Sequence, residues 1–455
     1  MPVVIVSIAT VFVMLVQGYR FNPNNNQVFQ AGLVQFGSRP TGATVTVDGA
    51  ELANRTNTRI NVRSGLRTIA MQREGYVSWQ KSVTVQPGRV LWLNYVRLVP
   101  ETITTEAVYS YDTVASSLVH RSQHLYGVQP NRAQPTWETI ATTDEFRRTS
   151  ATIPSSVYTA RKNLTFRALE WSRSDRYILF DARSGNNREW LILDRSSPSD
   201  SINISKLTSL SISSVSFAKQ DDRWLYLVSD KKLYRYDRRN NTLSSALAQN
   251  VVWYEQSAEG VVVFRSERGD DVSVGYVSPN ASTSKIVSVP GSSNPDDVKY
   301  ILYDREHYMA LLEDNKLVIW RVTLPSSDSN DTSQYTPIAT LPVPATVKQL
   351  TSPGDTQFIV AHGKNEMIGY DLDQKRSFES LLKDSDQPVW IDGHHVIDST
   401  DGTLVLRDYD GSNNRPIVGN VPANSPAVFS SNNRYLYTMR ETADGLELVR
   451  SQLIL

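Results

Sequence analysis

The sequence contains no cysteine. Disulfides, cysteine-ligated zinc and a thiol nucleophile are therefore excluded. A charge excess is missing too, since 47 basic side chains face 47 acidic ones. Bulk nucleic-acid binding draws on cationic excess to neutralise phosphates, so no nucleic-acid partner is expected. Long Leu/Ala/Glu/Lys blocks of helical character are also absent, whereas 21 Tyr and 9 Trp are present. The polar remainder is rich in Ser, Thr, Asn and Asp, which favour turns over helix interiors. The chain reads as all-β, and its 455 residues suit two or three domains.

One hydrophobic run stands out. Residues Val3 to Val16 are apolar apart from Ser7 and Thr10, and Gln17-Gly18-Tyr19-Arg20 closes the stretch. As a helix, about 18 residues reach about 27 Å, just short of a typical hydrocarbon core. A cleavable signal peptide needs basic residues before the run and a small-x-small site after it, and neither stands here. The run reads as an uncleaved transmembrane anchor over residues 2–19. Its membrane-facing residues are Val3, Val4, Ile5, Val6, Ile8, Val11, Phe12, Val13, Leu15 and Val16. A buried core helix or strand and a signal peptide are the alternatives. The missing basic residues point to a natural start upstream of Met1. Tyr19 and Arg20 suit the membrane–water interface. The expected topology is single-pass, N-in, with everything after the anchor outside the cytoplasm. Residues 20–31, with the breaker run Asn22-Pro23-Asn24-Asn25-Asn26-Gln27, read as a polar tether.

From Gly32 the pattern changes to alternating strands and tight turns. Ala43-Thr44-Val45-Thr46-Val47 alternates and stops at Asp48-Gly49, a hairpin signal. Arg59-Ile60-Asn61-Val62-Arg63 alternates again and breaks at Ser64-Gly65. Leu66 to Gln72, Lys81 to Val85 and Val90 to Val96 follow, separated by Glu74-Gly75-Tyr76 and Gln86-Pro87-Gly88. Five or six strands in so short a stretch make a small sandwich, near the lower size limit for independent folding.

Arg39-Pro40-Thr41-Gly42-Ala43, then Val45-x-Val47-Asp48-Gly49, Gly65 before a strand, Glu74-Gly75-Tyr76 and Leu98-Val99-Pro100 resemble the PEGA domain over residues 32–100. The Pro-Glu-Gly-Ala signature of that family reads Pro40-Thr41-Gly42-Ala43 here. The resemblance implies a non-catalytic domain in a surface-layer or envelope setting. The layout is also similar to that of anchored PEGA-domain proteins of small-genome, host-dependent bacteria.

Charge is unevenly divided. Between Arg20 and Pro100 there are ten basic side chains and three acidic ones, Asp48, Glu51 and Glu74, which leaves this domain near +7. Arg55, Arg59, Arg63, Arg67 and Arg73 are candidates for contact with an anionic surface, either lipid or wall polymer. Solvated arginines that protect sheet edges are the alternative.

Residues 101–455 repeat. Trp171-Ser172-Arg173-Ser174-Asp175-Arg176-Tyr177-Ile178-Leu179-Phe180 leads to Trp190-Leu191-Ile192-Leu193-Asp194. Similar units start near 217, 253, 301, 350, 390 and 429, a propeller-blade period, and a weaker one starts near Leu118. A strand near Ile103 to Tyr109 completes the last unit and closes the ring. The phrase at Trp171 resembles TolB-like and WD40-like repeats, with the usual Pro and Gly of the turn replaced. The expected fold is thus all-β: a transmembrane helix, a small PEGA-like sandwich and a seven- or eight-bladed β-propeller.

A search for chemistry finds little. Ser399-Thr400-Asp401-Gly402-Thr403 reads as a hairpin turn and not as a sialidase Asp box. No Gly-x-Ser-x-Gly elbow exists. His394 and His395 are neighbours that point to opposite sides of a strand. Asp408-Tyr409-Asp410-Gly411-Ser412-Asn413 lacks the third carboxylate and closing Glu of a calcium loop. No catalytic residue, cofactor or metal is expected. The functional expectation is a membrane-anchored, non-enzymatic envelope scaffold that displays its propeller to another envelope component or to a host-surface protein or glycan. Ser326 to Tyr335 is a candidate recognition loop or a disordered spacer. The alternative function is a divergent propeller-type carbohydrate-active enzyme, marked by paired carboxylates at the funnel mouth.

Overall fold

The computed structural model describes residues 2–22, 26–143, 146–257, 259–269, 271–279, 281–287, 297–324, 334–353, 356–363, 365–381 and 389–455. Of the candidate loop at 326–335, residues 326–333 lie outside the described residues. The chain divides into two compact units: residues 1–105 with 433–435 and 451–455, and residues 106–432 with 436–450.

The first unit begins with helix α1, Pro2–Val16, and continues through strands β1 (Tyr19–Asn22), β2 (Gln27–Arg39), β3 (Thr44–Val47), β4 (Ala50–Glu51), β5 (Thr58–Arg63), β6 (Gly65–Gln72), β7 (Trp79–Val85) and β8 (Val90–Arg97). One sheet runs β1-β2-β5 with β8 parallel to β2, and the other runs β4-β3-β6-β7. Strict alternation explains the sandwich. Along β7 every second side chain from Trp79 to Val85 is buried, with Gln80, Ser82 and Thr84 outside. Val34, Phe36, Val62, Leu93 and Val96 meet Val45, Ile69, Met71, Trp79 and Val83 in one core. Full burial of such side chains contributes about 1.5–3 kcal/mol each.

Two expectations for the N-terminus need correction. The transmembrane helix expected over residues 2–19 stops at Val16, and 15 residues make about 22 Å of helix against a hydrocarbon core of about 30 Å. Among the described residues no helix is long and apolar enough to cross a membrane. The stop is local, because Gly18 adopts φ +85, the left-handed conformation that ends helices at glycine. The expected tether at 20–31 is also largely strand. Tyr19, Arg20, Phe21 and Asn22 pair with Gln30, Phe29, Val28 and Gln27. Of the Asn-rich breaker, Asn22 pairs with Gln27, Asn26 has φ 51, and residues 23–25 lie outside the described residues.

Among the described residues the second unit forms eight consecutive four-stranded sheets, within residues 116–152, 165–203, 212–243, 251–287, 297–342, 347–381, 389–418 and 428–452. The last contributes three strands from its own stretch and takes β9, Thr105–Tyr111, as the fourth. Successive sheets pack face to face. Trp137 of blade 1 joins Phe166 and Phe180 of blade 2 in one cluster, and Trp190 of blade 2 joins Phe217 and Tyr236 of blade 3 in the next. Blade 8 returns to blade 1, where His124 Nδ1 lies 3.0 Å from the Phe429 carbonyl oxygen and Tyr126 donates to the Pro426 carbonyl at 3.3 Å. This order is that of an eight-bladed β-propeller, and it resolves the choice between seven and eight. The weak unit near Leu118 is blade 1.

The Asp that ends many repeat units has a defined task. Asp194, Asp237 and Asp371 are the last residues of the third strands in blades 2, 3 and 6. The Asp237 carboxylate accepts the Arg239 N–H at 2.9 Å and the Arg223 Nε–H at 2.9 Å. Asp371 accepts the N–H groups of Asp373 and Gln374 at 2.9 and 3.0 Å. Strand register places Arg176 and Arg223 one residue before the partners of Asp194 and Asp237, whereas blade 6 has Gln357 at that place. The electrostatic outcome differs accordingly. Hydrogen bonding to Arg223 pulls the Asp237 carboxyl down to about 2, while burial pushes Asp371 up to about 6.

Linkage gives this a sign. Between about pH 4 and pH 6 folded Asp371 keeps a proton that the unfolded chain has released, so stability falls as pH rises through that window. We expect Asp371→Asn to stabilise the propeller at pH 7.5 by about 2–3 kcal/mol, and the gain to vanish by pH 4. Denaturant midpoints of variant and parent at the two pH values check this, and an equal difference at both would refute it.

Candidate functional site

Two places in the molecule concentrate unusual side chains. One is the foot of α1. Among the anchor residues, Val4, Ile5, Val6, Ile8, Val11, Phe12, Val13, Leu15 and Val16 are between 46% and 76% exposed, as is Met14. The side chain of Val3 lies outside the described residues. Thr10 donates its hydroxyl to the Val6 carbonyl at 2.9 Å, so its polarity is turned back onto the backbone. Apart from Thr10, the described side chains of the helix are apolar.

Its C-terminus is fixed to the sandwich. Arg20 Nη1 donates to the carbonyls of Leu15 and Tyr19 at 3.0 and 2.9 Å, placing a cation where helix carbonyls lack partners. The Ala31 N–H donates to the Gly18 carbonyl at 2.8 Å, and the Gly88 N–H to the Ala31 carbonyl at 2.9 Å. There is no room for side chains here: a Cβ on Gly18 would lie 2.3 Å from the Gly88 nitrogen, and one on Gly88 would lie 2.5 Å from the Val16 carbonyl oxygen.

The five arginines singled out from the sequence separate into two kinds. Arg67 pairs with Asp48 at 2.8 Å and donates to the carbonyls of Arg63 and Ser64. The Thr68 N–H and Arg67 hold the Asp48 carboxyl below its ordinary range. Arg73 donates to the Thr41 carbonyl and lies over the Tyr76 ring at 5.7 Å. Both brace turns. Arg55, Arg59 and Arg63 are exposed. Arg59 and Arg63 stand on β5 with Asn61, on the face opposite buried Val62. Register adds partners that the sequence did not suggest. Leu33 lies between Asn61 and Val90, and Gln35 between Arg59 and Trp92. Trp92 is 52% exposed, an unusual state for so large an apolar surface. Val90-x-Trp92 on an alternating strand was the available signal.

The other place is in the propeller. The first strands of blades 1 and 2, of blades 2 and 3, and of blades 5 and 6 are in contact. Between those of blades 3 and 4 opens a cavity of about 600 Å³, lined among others by Glu170, Ser216, Lys219, Tyr254, Glu255 and Gln256. Gln256 donates to the Phe217 carbonyl at 2.9 Å and to Ser216 Oγ at 2.8 Å, and accepts the Lys219 N–H at 3.0 Å. Glu170 accepts the Phe217 N–H at 3.0 Å, and burial pushes its carboxyl up to about 7. Glu170 and Gln256 thus hold the N–H and the carbonyl of one residue, Phe217, across the blade seams. Lys299 pairs with Glu255.

His394 and His395 do diverge. His395 Nδ1 lies 2.9 Å from Asp392, whereas the His394 ring meets the Phe358 ring edge-on at 5.6 Å. In the 408–413 turn Asn413 donates to Asp408 at 3.0 Å and Ser412 to Asp410 at 2.6 Å, so the loop's own donors engage its carboxylates. Among the described residues no group of three His, Asp or Glu side chains could hold a metal ion.

Residues 32–101 match the PEGA domain. A comparison with curated proteins finds no match. Among solved structures, dipeptidyl peptidase 4 of Porphyromonas gingivalis is similar at 14% identity and TM-score 0.49, covering 72% of this chain and 57% of that one. The Dos1 propeller is similar at 11% identity and TM-score 0.45, covering 76% and 94%. The tricorn protease follows at 9% identity and TM-score 0.43, covering 77% and 38%.

Proposed function

We propose that the chain is a non-enzymatic binding scaffold held at a cell membrane by its N-terminal helix, with the PEGA domain and the propeller outside the cytoplasm. The observation that carries this reading is the helix, whose ten described large apolar side chains are 46–76% exposed and are not among the core residues of their unit. A helix apolar all round is stable where every side is out of water. Lying flat at an interface calls for a strongly charged or polar face, and the sequence of this helix contains no charged residue. Insertion buries all its sides. Fifteen residues are short for a full hydrocarbon core, and such mismatch is met by local thinning and by flanking side chains that reach the headgroups.

The propeller supplies the binding role. A closed ring has no free sheet edge and offers a rigid base for variable loops. An envelope component or a host-surface protein or glycan is the partner class we favour. Fractionation of cells expressing the chain, together with membrane-impermeant amine labelling of intact cells, tests the reading. The expected result is a membrane-bound protein that resists carbonate extraction, has labelled propeller lysines and is released when residues 2–16 are deleted. Recovery in the soluble fraction, or lysines labelled only after lysis, would overturn it.

A further inference from the structure

The small unit segregates its charge by sheet. Strands β2, β5 and β8 contain no Asp or Glu. The acids of the unit between Arg20 and Pro100 all lie elsewhere: Asp48 after β3, Glu51 on β4 and Glu74 after β6. The outer face of the first sheet therefore presents exposed Arg59 and Arg63, with exposed Arg89 in the turn before β8. Interleaved with them are Trp92, 52% exposed, Val90, 39% exposed, and half-buried Leu33. An indole beside guanidinium groups is the combination found at lipid headgroup depth.

This face is also next to the helix. Arg63 pairs with Ala31, the residue that bonds Gly18 and Gly88, and the Leu33 N–H donates to the Arg89 carbonyl at 2.9 Å. Glycine contacts hold the end of α1 against the same end of β2. The chain leaves the sandwich from the other end, where Arg39 pairs with Arg97 ahead of Pro100.

We propose that the outer face of the β5-β2-β8 sheet is a docking surface for an anionic phospholipid bilayer, Arg59, Arg63 and Arg89 taking lipid phosphates while Trp92 and Val90 enter the headgroup layer. The proposal rests on the anchoring reading, since the helix brings the face to the membrane. A soluble phosphate polymer would satisfy the arginines and leave the Trp92–Val90 stripe in water, so the bilayer is the occupant that accounts for both.

The absence of cysteine permits a direct test on the full chain. Asn61→Cys places a polarity-sensitive dye between Arg59 and Arg63, and Ser82→Cys places it on the outer face of the second sheet. Each protein is floated with phosphatidylcholine vesicles, with and without phosphatidylglycerol. The expected result is a blue-shifted signal from position 61 only, and only on vesicles containing phosphatidylglycerol. Arg59→Glu, Arg63→Glu and Arg89→Glu together should abolish the shift and weaken partition into anionic vesicles about 100-fold, while helix-dependent flotation on neutral vesicles persists. Flotation with no shift at 61, equal shifts at 61 and 82, or a shift indifferent to lipid charge would overturn the docking surface and leave the anchor standing. Failure to float on either vesicle would remove the anchor and, with it, the docking surface. A shift produced by soluble polyphosphate and not by vesicles would assign the face to an anionic polymer, against the proposal.

Discussion

Asp398→Ala should lower propeller stability by about 3–5 kcal/mol, the cost of breaking a buried ion pair by removing one of its partners. Arg407 donates to Asp398 at 2.9 Å through Nε and at 3.3 Å through Nη2, and the two side chains are 7% and 1% exposed. They stand diagonally on the second and third strands of blade 7, because register pairs Arg407 with Val396 and Asp398 with Val405. Water cannot replace the lost carboxylate at such depth. The paired replacement Asp398→Leu with Arg407→Met removes both charges at similar volume and should return most of the loss. Denaturant unfolding of the two single variants and the double variant forms the cycle that measures the coupling. Additive losses would show that the pair is not coupled and that the expectation is wrong.

Gly127→Val is expected to cost about 3 kcal/mol through overpacking. A Cβ at Gly127 would lie 2.0 Å from the Trp137 ring and 2.6 Å from the Trp171 ring. Trp137 is 1% exposed, and the two indoles meet edge-on with centroids 5.4 Å apart, so neither ring can swing away. Glycine here serves as the floor on which an aromatic ring lies. Gly275 under Phe264 and Gly369 under Phe378 repeat the device in blades 4 and 6, with added Cβ atoms at 2.2 and 2.1 Å. Gly419→Ala is the control. Nothing lies within 4 Å of its added Cβ, and its effect should stay within about 0.5 kcal/mol. Thermal unfolding midpoints separate the two cases, and equal midpoints would show that the rings relax.

The parts of the fold legible from sequence were those specified by local chemistry. The turn phrase at Trp171 is written in its own bonds: Trp171 Nε1 donates to the Asp175 carbonyl at 2.8 Å, Ser172 Oγ accepts the Tyr177 N–H at 3.1 Å, and Asp175 has φ 65. Blade 1 was faint because its corresponding turn is Arg121–Gln123, with His124 at φ 51 and no acid in the phrase. First strands were the hardest to see. Those of blades 7 and 8 are only two residues long, Val389–Trp390 and Val428–Phe429, and tertiary contacts hold them in place of pattern. The tether was misread because an Asn-rich run looks like linker in the sequence, and the pairing of Tyr19 with Gln30 is a register fact without a compositional trace. At the candidate surface, Arg59 and Arg63 were visible through β alternation. Their association with Trp92 depends on a parallel pairing of β8 with β2, which no local pattern encodes.

The strand that completes blade 8 comes from Thr105–Tyr111, whereas its neighbour in the sheet, Gly445–Gln452, is made long after it. At about 5–20 residues per second, the earlier strand waits roughly 17–70 s for its partner during synthesis. For that interval the nascent ring is an open arc with two sticky rims. A ribosome stalled before Gly445, or a nonsense codon there, leaves an arc that can recruit a stray strand from a second copy. The expected fate of such fragments is chaperone capture or aggregation, in preference to a tidy seven-bladed product.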